Sequence, residues 1–350
     1  MPPLGGREKG DLMKEKAQKK QMAILSALRS SERPLSSADI ARQLLAEGHD
    51  LSERTVRLYL QHMDNEGFTR PVGRKGRIIT EAGIGEAEAS RSFERVGFLS
   101  AKIDRMTYLM QFDLASCSGT VIINVTVADP RQVVRYADMI SAVYEHGYAV
   151  GHLMALLEPG ERCGETIVPD GMVGIGTVCS ITLNGVLLKH GIPVHSRFGG
   201  LLELRGGKAV RFVEIITYDG TTLDPLEVFI HGGMTNYRGA ITTGNGRIGS
   251  GFREFPSESR DLVADLARRL EAVGLGGFMQ IGYPGQTLLD IPVSESSAGA
   301  IVIGGLNPVA ILEESGVRVN SRALSGLIEY NRLFRYNELP KRLRALGLLR

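Results

Sequence analysis

Arg54, Thr55, Arg57, Leu58 and Gln61 fall on one side of a segment whose other side carries Val56, Tyr59, Leu60 and Met63. The apolar set recurs at i, i+3, i+4 and i+7, the spacing of a helix that buries one stripe. What stays outside is chemically specific: arginine offers forked donors that match a guanine edge, and threonine a methyl that meets thymine. Ser52 precedes the segment as an N-cap. Further on, Gly73-Arg74-Lys75-Gly76 and Arg77 set cations at a glycine-bounded tip between two strand-like runs, Phe68–Val72 and Arg77–Thr80. Such a ribbon can straddle a phosphate backbone. Ser52, Arg54, Thr55, Arg57, Gln61, Arg74, Lys75 and Arg77 are therefore the candidate contacts to duplex DNA. The plainer alternative is a three-helix interaction module with solvated arginines.

A second constellation is duplicated. Gly191-Ile-Pro-Val-His-Ser-Arg197 matches Gly316-Val-Arg-Val-Asn-Ser-Arg322, 125 residues on, and the strand-ending Pro130 and Pro256 lie 126 apart. Before each Ser-Arg pair comes a strand, a glycine turn and a helix: Met172–Gly176 into Val178–His190, and Ala300–Gly304 into Pro308–Glu314. A helix N-terminus offers unpaired N–H groups and a positive dipole end to a carboxylate, and a guanidinium can add a bidentate contact. Two such half-sites facing one crevice suit a small dicarboxylate. The candidate effector residues are Gly176, Thr177, Ser196, Arg197, Gly304, Gly305, Asn307, Ser321 and Arg322. Glycine turns are equally routine in such folds, and either arginine could simply pair with Glu203 or Glu329. Asn307-Pro308 also reads as a plain N-cap and N1 pair. Cys179 reads as a small buried residue and His195 as a core histidine or a ligand group.

Catalytic chemistry has no such set. His190 and His195 lack metal-ligand spacing, the carboxylates are dispersed, and Cys117, Cys163 and Cys179 form neither a disulfide framework nor a CxxC pair. Gly174-Ile-Gly176 follows a strand, but Cys179 stands where a dinucleotide fingerprint needs its third glycine. No catalytic residue, metal or cofactor is expected, and the chain is not read as an enzyme.

The elements that must position these residues divide 350 positions into one small and one large domain. Residues 1–20 read as a flexible basic arm. Residues 21–85 read as a winged helix-turn-helix with helices Gln21–Ser30, one begun by Ser36 and ended by Gly48, and Glu53–Glu66. Residues 86–94 read as a linker helix, 95–335 as an effector-sensing domain, and 336–350 as a basic C-terminal helix. The fold class is α/β: a winged helix followed by a larger α/β domain made of two pseudo-repeats, each round a sheet with covering helices. Between the repeats, Leu201–Thr217 reads as a hairpin across Arg205-Gly206-Gly207-Lys208, and Leu223–Ile230 as a further strand-like piece. The net charge of +2 is uneven, +4 over residues 1–85 and −2 beyond, a mildly basic head on a slightly acidic body. The basic start has no export core, and Met172–Leu188 is too interrupted by polar residues to span a membrane, so a cytoplasmic protein with no membrane partner is expected.

The segments GTVCSITLNGVLLKHGIPVHSRFGGLLE (Gly176–Glu203), YDGTTLDPLEVFIHGGMT (Tyr218–Thr235), GNGRIGSGFREFP (Gly244–Pro256) and GGLNPVAILEESG (Gly304–Gly316) resemble the NrpR regulatory domain, over roughly residues 95–335. The resemblance implies a winged-helix repressor of nitrogen-assimilation genes that acts as a homodimer or larger symmetric oligomer. It also implies release from a double-stranded DNA operator by 2-oxoglutarate. Some relatives carry two effector domains, whereas one is legible here. Two other readings stay open: an RNA-binding protein, since similar winged helices front some exoribonucleases, and an enzyme fused to a DNA-binding head.

Overall fold

Local caps set the helices of the N-terminal unit. Helix α1 (residues 23–29) puts Ile24, Leu25 and Leu28 inward. Ser36 Oγ accepts from the Asp39 N–H at 3.2 Å while Asp39 accepts from the Ser36 N–H at 3.4 Å, a reciprocal box that starts α2 (Ser37–Ala46). Ser52 Oγ accepts from the Thr55 N–H and starts α3 (Glu53–Asn65). Val56, Leu60 and Met63 of α3 join the α1 side chains, Ile40, Leu44, Leu35 and Leu51 in one core. Strands β1 (Thr69–Pro71) and β2 (Arg77–Ile79) pair antiparallel from Thr69↔Ile79 to Pro71↔Arg77, shorter than the expected runs, and a helical turn α4 (residues 81–85) follows.

This computed structural model describes residues 20, 21, 23–29, 31, 33–46, 51–73, 75–85 and 99–347. They form two units, divided after residue 97. Most of the expected basic arm, Arg74, the linker helix over 86–94 and the last three residues lie outside the described residues.

The second unit opens with α5 (Leu99–Leu109), then β3 (Thr120–Ala128), α6 (Pro130–Arg135), α7 (Ala137–Glu145), β4 (Leu153–Leu157), β5 (Arg162–Cys163), β6 (Thr166–Ile167), β7 (Val173–Val178) and α8 (Ile181–Lys189). A hairpin of β8 (His195–Arg205) and β9 (Lys208–Thr217) turns through Gly206 and Gly207, both at positive φ as a tight two-residue turn requires. Next come α9 (Pro225–His231), α10 (Tyr237–Thr243), β10 (Gly246–Pro256), α11 (Arg260–Ala272), β11 (Phe278–Ile281), β12 (Ser297–Ile303), α12 (Asn307–Glu314), β13 (Asn320–Glu329), β14 (Phe334–Arg335) and α13 (Leu339–Ala345).

Two five-stranded sheets result, ordered β11-β12-β10-β8-β9 and β13-β3-β7-β4-β14, antiparallel at every pairing. The duplication is real, since β4-β7-β3-β13 mirrors β11-β12-β10-β8. The halves are not separate, however. The Ser-Arg strand of the first half, β8, pairs with β10 of the second, and β13 of the second pairs with β3 of the first. Each sheet thus borrows a strand, correcting the expectation of one sheet per repeat. One apolar core runs through both sheets.

Two local expectations change. The run Leu223–Ile230 is a helix, α9, because Asp224 caps it by accepting from the Leu226 and Glu227 N–H groups and Pro225 stands in its first turn. The C-terminal helix is α13, with Leu339 and Leu343 buried in the body and Arg342 over the Phe334 ring. Among the described residues no helix is long and apolar enough to cross a membrane.

Candidate DNA interface and candidate effector site

The exposed face of α3 carries Arg54, Arg57, Leu58 and Gln61 together, with Leu58 60% exposed. Arg54 has no side-chain partner among the described residues. Thr55 is half-buried and its hydroxyl meets Ser52 Oγ at 2.8 Å, which stiffens the first turn. Arg57 pairs with Glu53 one turn back, and Glu53 also accepts from Ser37 on α2. On the ribbon Lys75 is exposed, and so is Arg70 of β1, a cation that sequence reasoning passed over. Arg77 is different. Its Nε donates to Asp64 of α3 at 2.7 Å, the pair is only about a fifth exposed, and Thr69 of β1 donates to the same carboxylate. Arg77 thus braces ribbon against helix.

In the body, the cavity of about 20 Å³ at the head of α8 and α12 is lined by residues of both halves: Asn124, Cys179, Ser180 and Ile181, against Ser250, Gly251, Gly304, Gly305 and Leu306. Tyr218, Asp224 and Leu324 also line it. Gly305 must be glycine: a Cβ there would come to 3.0 Å from Cys179 Cα and closer still to Asn124 Nδ2 and the Val178 carbonyl. Leu324 is buried yet holds φ +49°, in the left-handed region, and its N–H donates to Asn124 Oδ1 at 3.1 Å.

Beside the cavity stands Arg253 of β10, 1% exposed. Its Nε donates to Asn184 Oδ1 at 3.3 Å, Nη1 to the Phe252 carbonyl at 3.2 Å and Nη2 to Ser180 Oγ at 3.4 Å, and the guanidinium lies over the Tyr218 ring. No carboxylate pairs with it among the described residues. Asp224 is half-buried, and desolvation with Glu227 nearby pushes its carboxyl up to about 6 against the pull of two backbone N–H groups and Lys102. Burial pushes the Cys179 thiol up to about 12, so it is a packed thiol and not a nucleophile.

Of the expected effector residues, Gly304 and Gly305 line this cavity; Ser196 does not, but accepts at 2.9 Å from Nδ2 of Asn184, which in turn accepts from Arg253. The others are elsewhere. Strand β7 runs two residues further than expected, so Gly176 and Thr177 lie inside it; Gly176 makes room for Ala155 and Ile123 rather than opening a helix. Asn307 is consumed by a buried network, accepting from Tyr237 Oη and donating to the Tyr148 and Gly249 carbonyls at 2.9 Å. Ser321 meets Thr126 Oγ1 at 2.9 Å. Arg197 donates to Glu254 at 2.8 Å and to the Pro292 carbonyl, and Arg322, 63% exposed, stands 3.9 Å from Glu227. The strand exchange carries both arginines away from the helix heads they were expected to back. Sequence reasoning missed Arg253, Asn184, Tyr218 and Asp224; Arg253 is buried because its strand is covered on both faces, which the run Phe252-Arg253-Glu254-Phe255 does not reveal.

The family profile for NrpR regulatory domains NRD1 and 2 matches residues 96–335. The chain belongs to the NrpR family. A profile for the Ribonuclease R winged-helix domain matches residues 22–87 of this NrpR-type chain, the unit whose helices and ribbon are described above. Among curated relatives, Global nitrogen regulator NrpRI of Methanosarcina mazei is 31% identical over 91% of this chain and 98% of its own length. Global nitrogen regulator NrpR of Methanocaldococcus jannaschii is 30% identical over 92% of this chain, which spans 56% of that protein. The crystal structure of a nitrogen repressor-like protein from Methanococcus jannaschii superposes with a TM-score of 0.58 at 25% identity, covering 69% of this chain and 99% of that one. The chain is an NrpR-type regulator and not an enzyme, with a winged helix ahead of a mixed α/β domain.

Proposed function

We propose that this NrpR-type chain represses nitrogen-metabolism genes by binding a double-stranded DNA operator through its winged helix. Release comes from a small dicarboxylate, with 2-oxoglutarate favoured by the family resemblance. The observation that carries the DNA part is the exposed α3 face, where Arg54, without a side-chain partner among the described residues, stands beside Arg57 and Gln61, next to a ribbon bearing Arg70 and Lys75. In this reading Ser52 and Thr55 fix the first turn of the helix, Arg54, Arg57 and Gln61 read bases, Arg74 and Lys75 hold phosphate, and Arg77 keeps the ribbon in place. The nitrogen part is supported by the names of the relatives. The effector part is supported by the cavity where helix heads from both halves meet.

A homodimer or larger symmetric assembly fits the need for two half-sites. It is also supported by β9, an edge strand of ten residues of which none is buried. Light scattering together with footprinting checks it, a monomer on a single half-site being the contrary result.

Binding of duplex DNA selected by the protein from a random pool tests the reading. Arg54→Ala and Arg57→Ala are expected to cost about 1–3 kcal/mol on the selected sequence and to blur preference. Lys75→Ala is expected to weaken all duplexes alike and lower the salt slope by about one. Equal losses on selected and random DNA for both arginine variants contradict base reading. The match to a ribonuclease winged helix favours RNA as the second reading; tighter binding to RNA of the same sequence would establish it instead.

A further inference from the structure

Arg253 is the one described arginine that is fully buried, and its hydrogen bonds run to neutral oxygens at 3.2–3.4 Å. A buried cation without an anionic partner is costly, because its hydration is lost and nothing of opposite charge replaces it. The other cations of this region have partners: Arg197 has Glu254, and Arg211 and Arg205 share Glu203. Three hydrogen bonds and the Tyr218 ring face offset part of the cost at Arg253, an anion would offset the rest, and the surroundings fit one. The guanidinium lies directly behind the cavity wall: Nη2 reaches the lining Ser180 at the head of α8, and a Cβ on the lining Gly251 would lie 2.9 Å from Nη1, so the strand puts no side chain between the cation and the cavity there. Two eight- or nine-residue helices, α8 and α12, start at this cavity.

We infer that Arg253 is the anchor for a carboxylate of a small effector, bound at the cavity where the two halves meet. This rests on the reading that the body senses an effector, and it replaces the paired arginines expected from sequence with one buried cation. Asp224 on the same wall opposes a second negative charge, so a dicarboxylate must turn its other end away from it. At about 20 Å³ the cavity has room for one water-sized group, so a carboxylate enters only as the α8 and α12 heads move apart. Those helices belong to different halves, and that opening is the differential state that would couple ligand to DNA.

Calorimetric titration of the full chain with 2-oxoglutarate, glutarate and neutral dimethyl glutarate tests this. The free acids should bind and the diester should not. Arg253→Met should weaken binding by about 30-fold or more and Arg253→Lys by less, because lysine keeps the charge and loses the fork. Arg197→Ala and Arg322→Ala should stay within about threefold. Without ligand, Arg253→Met should unfold no earlier than wild type, since an uncompensated charge is removed. Should it fail to fold, Gly251→Ala serves instead: its methyl crowds Nη1 and should weaken acid binding while the charge stays. Acid binding within threefold of wild type in Arg253→Met, or in Gly251→Ala if the former is unfolded, overturns the anchor and leaves the effector reading standing. No binding of either free acid to wild type overturns both.

Discussion

Thr126 and Arg253 occupy the same station in the two halves of the body. Each lies opposite the first serine of the strand received from the other half, Ser321 for Thr126 and Ser196 for Arg253. In one half two hydroxyls satisfy each other at 2.9 Å, whereas in the other a guanidinium is left with a charge. Thr182 and Asn307 make a second such pair. Thr182 Oγ1 ties the head of α8 to the Ile122 N–H and carbonyl of β3; Asn307 ties α12 to the Gly249 carbonyl of β10, while Tyr237 Oη, bonded to Asn307, accepts from the Gly249 N–H. Duplication preserved the frame, and the chemistry gathered in one half. A ligand meeting the two helix heads would therefore be gripped from one side and oriented.

The largest effects should fall on that frame. Asn307→Ala leaves the Tyr237 hydroxyl proton and the Tyr148 carbonyl without a partner and the Gly249 carbonyl with the Gly304 N–H alone, for a loss of about 3–5 kcal/mol in urea unfolding; Thr182→Val at the matching station should lose about 1–3. Equal losses would mean the halves are still symmetric in energy as well as shape. Gly305→Ala should lose about 2–3 kcal/mol, because its methyl meets backbone that cannot yield, while Ser180→Gly across the cavity should lose about 1 or less.

Asp224 sharpens the asymmetry through pH. Its carboxyl rises from 3.8 to about 6 on folding, so the native state holds this proton more tightly than the unfolded chain. Its contribution is full below the unfolded value and is lost as pH rises through about 6, a change of at most about 3 kcal/mol that residual solvent access reduces to about 1–2. Asp224→Asn, which keeps the capping oxygen, should stabilise at pH 7.5 and be neutral at pH 4 in thermal unfolding. A gain independent of pH would assign the effect to something other than the carboxylate.

The head separates the roles of its cations in the same way, at the smallest scale. Arg77→Ala should destabilise the winged helix by about 1 kcal/mol in urea unfolding, since it leaves half-buried Asp64 with Thr69 as its remaining donor. Arg54→Ala should leave stability unchanged.

The head was legible because its signals are local: a 3.6-residue apolar period, Ser36 with Asp39, and the Ser52 cap all act within one or two turns. The duplication was legible too, from Gly191–Arg197 repeated at Gly316–Arg322. The strand exchange was not, because a strand says nothing about which distant edge it will join, and so Arg197 and Arg322 were set at helix heads they never reach. Arg253 was hidden for a related reason: alternation in Phe252-Arg253-Glu254-Phe255 reads as an ordinary exposed cation unless both faces are known to be covered. The helix α9 had an Asp-Pro start in plain view, but its Leu, Val, Phe and Ile suggested a strand.

Fluorescence anisotropy of the intact chain on its selected duplex, titrated with and without 2-oxoglutarate, decides whether effector and operator are coupled through Arg253. Sequence-specific binding should weaken about tenfold or more with the ligand, equivalent to about 1.4 kcal/mol of coupling, and should no longer respond in Arg253→Met. Specific binding that is indifferent to the ligand in wild type would contradict that coupling.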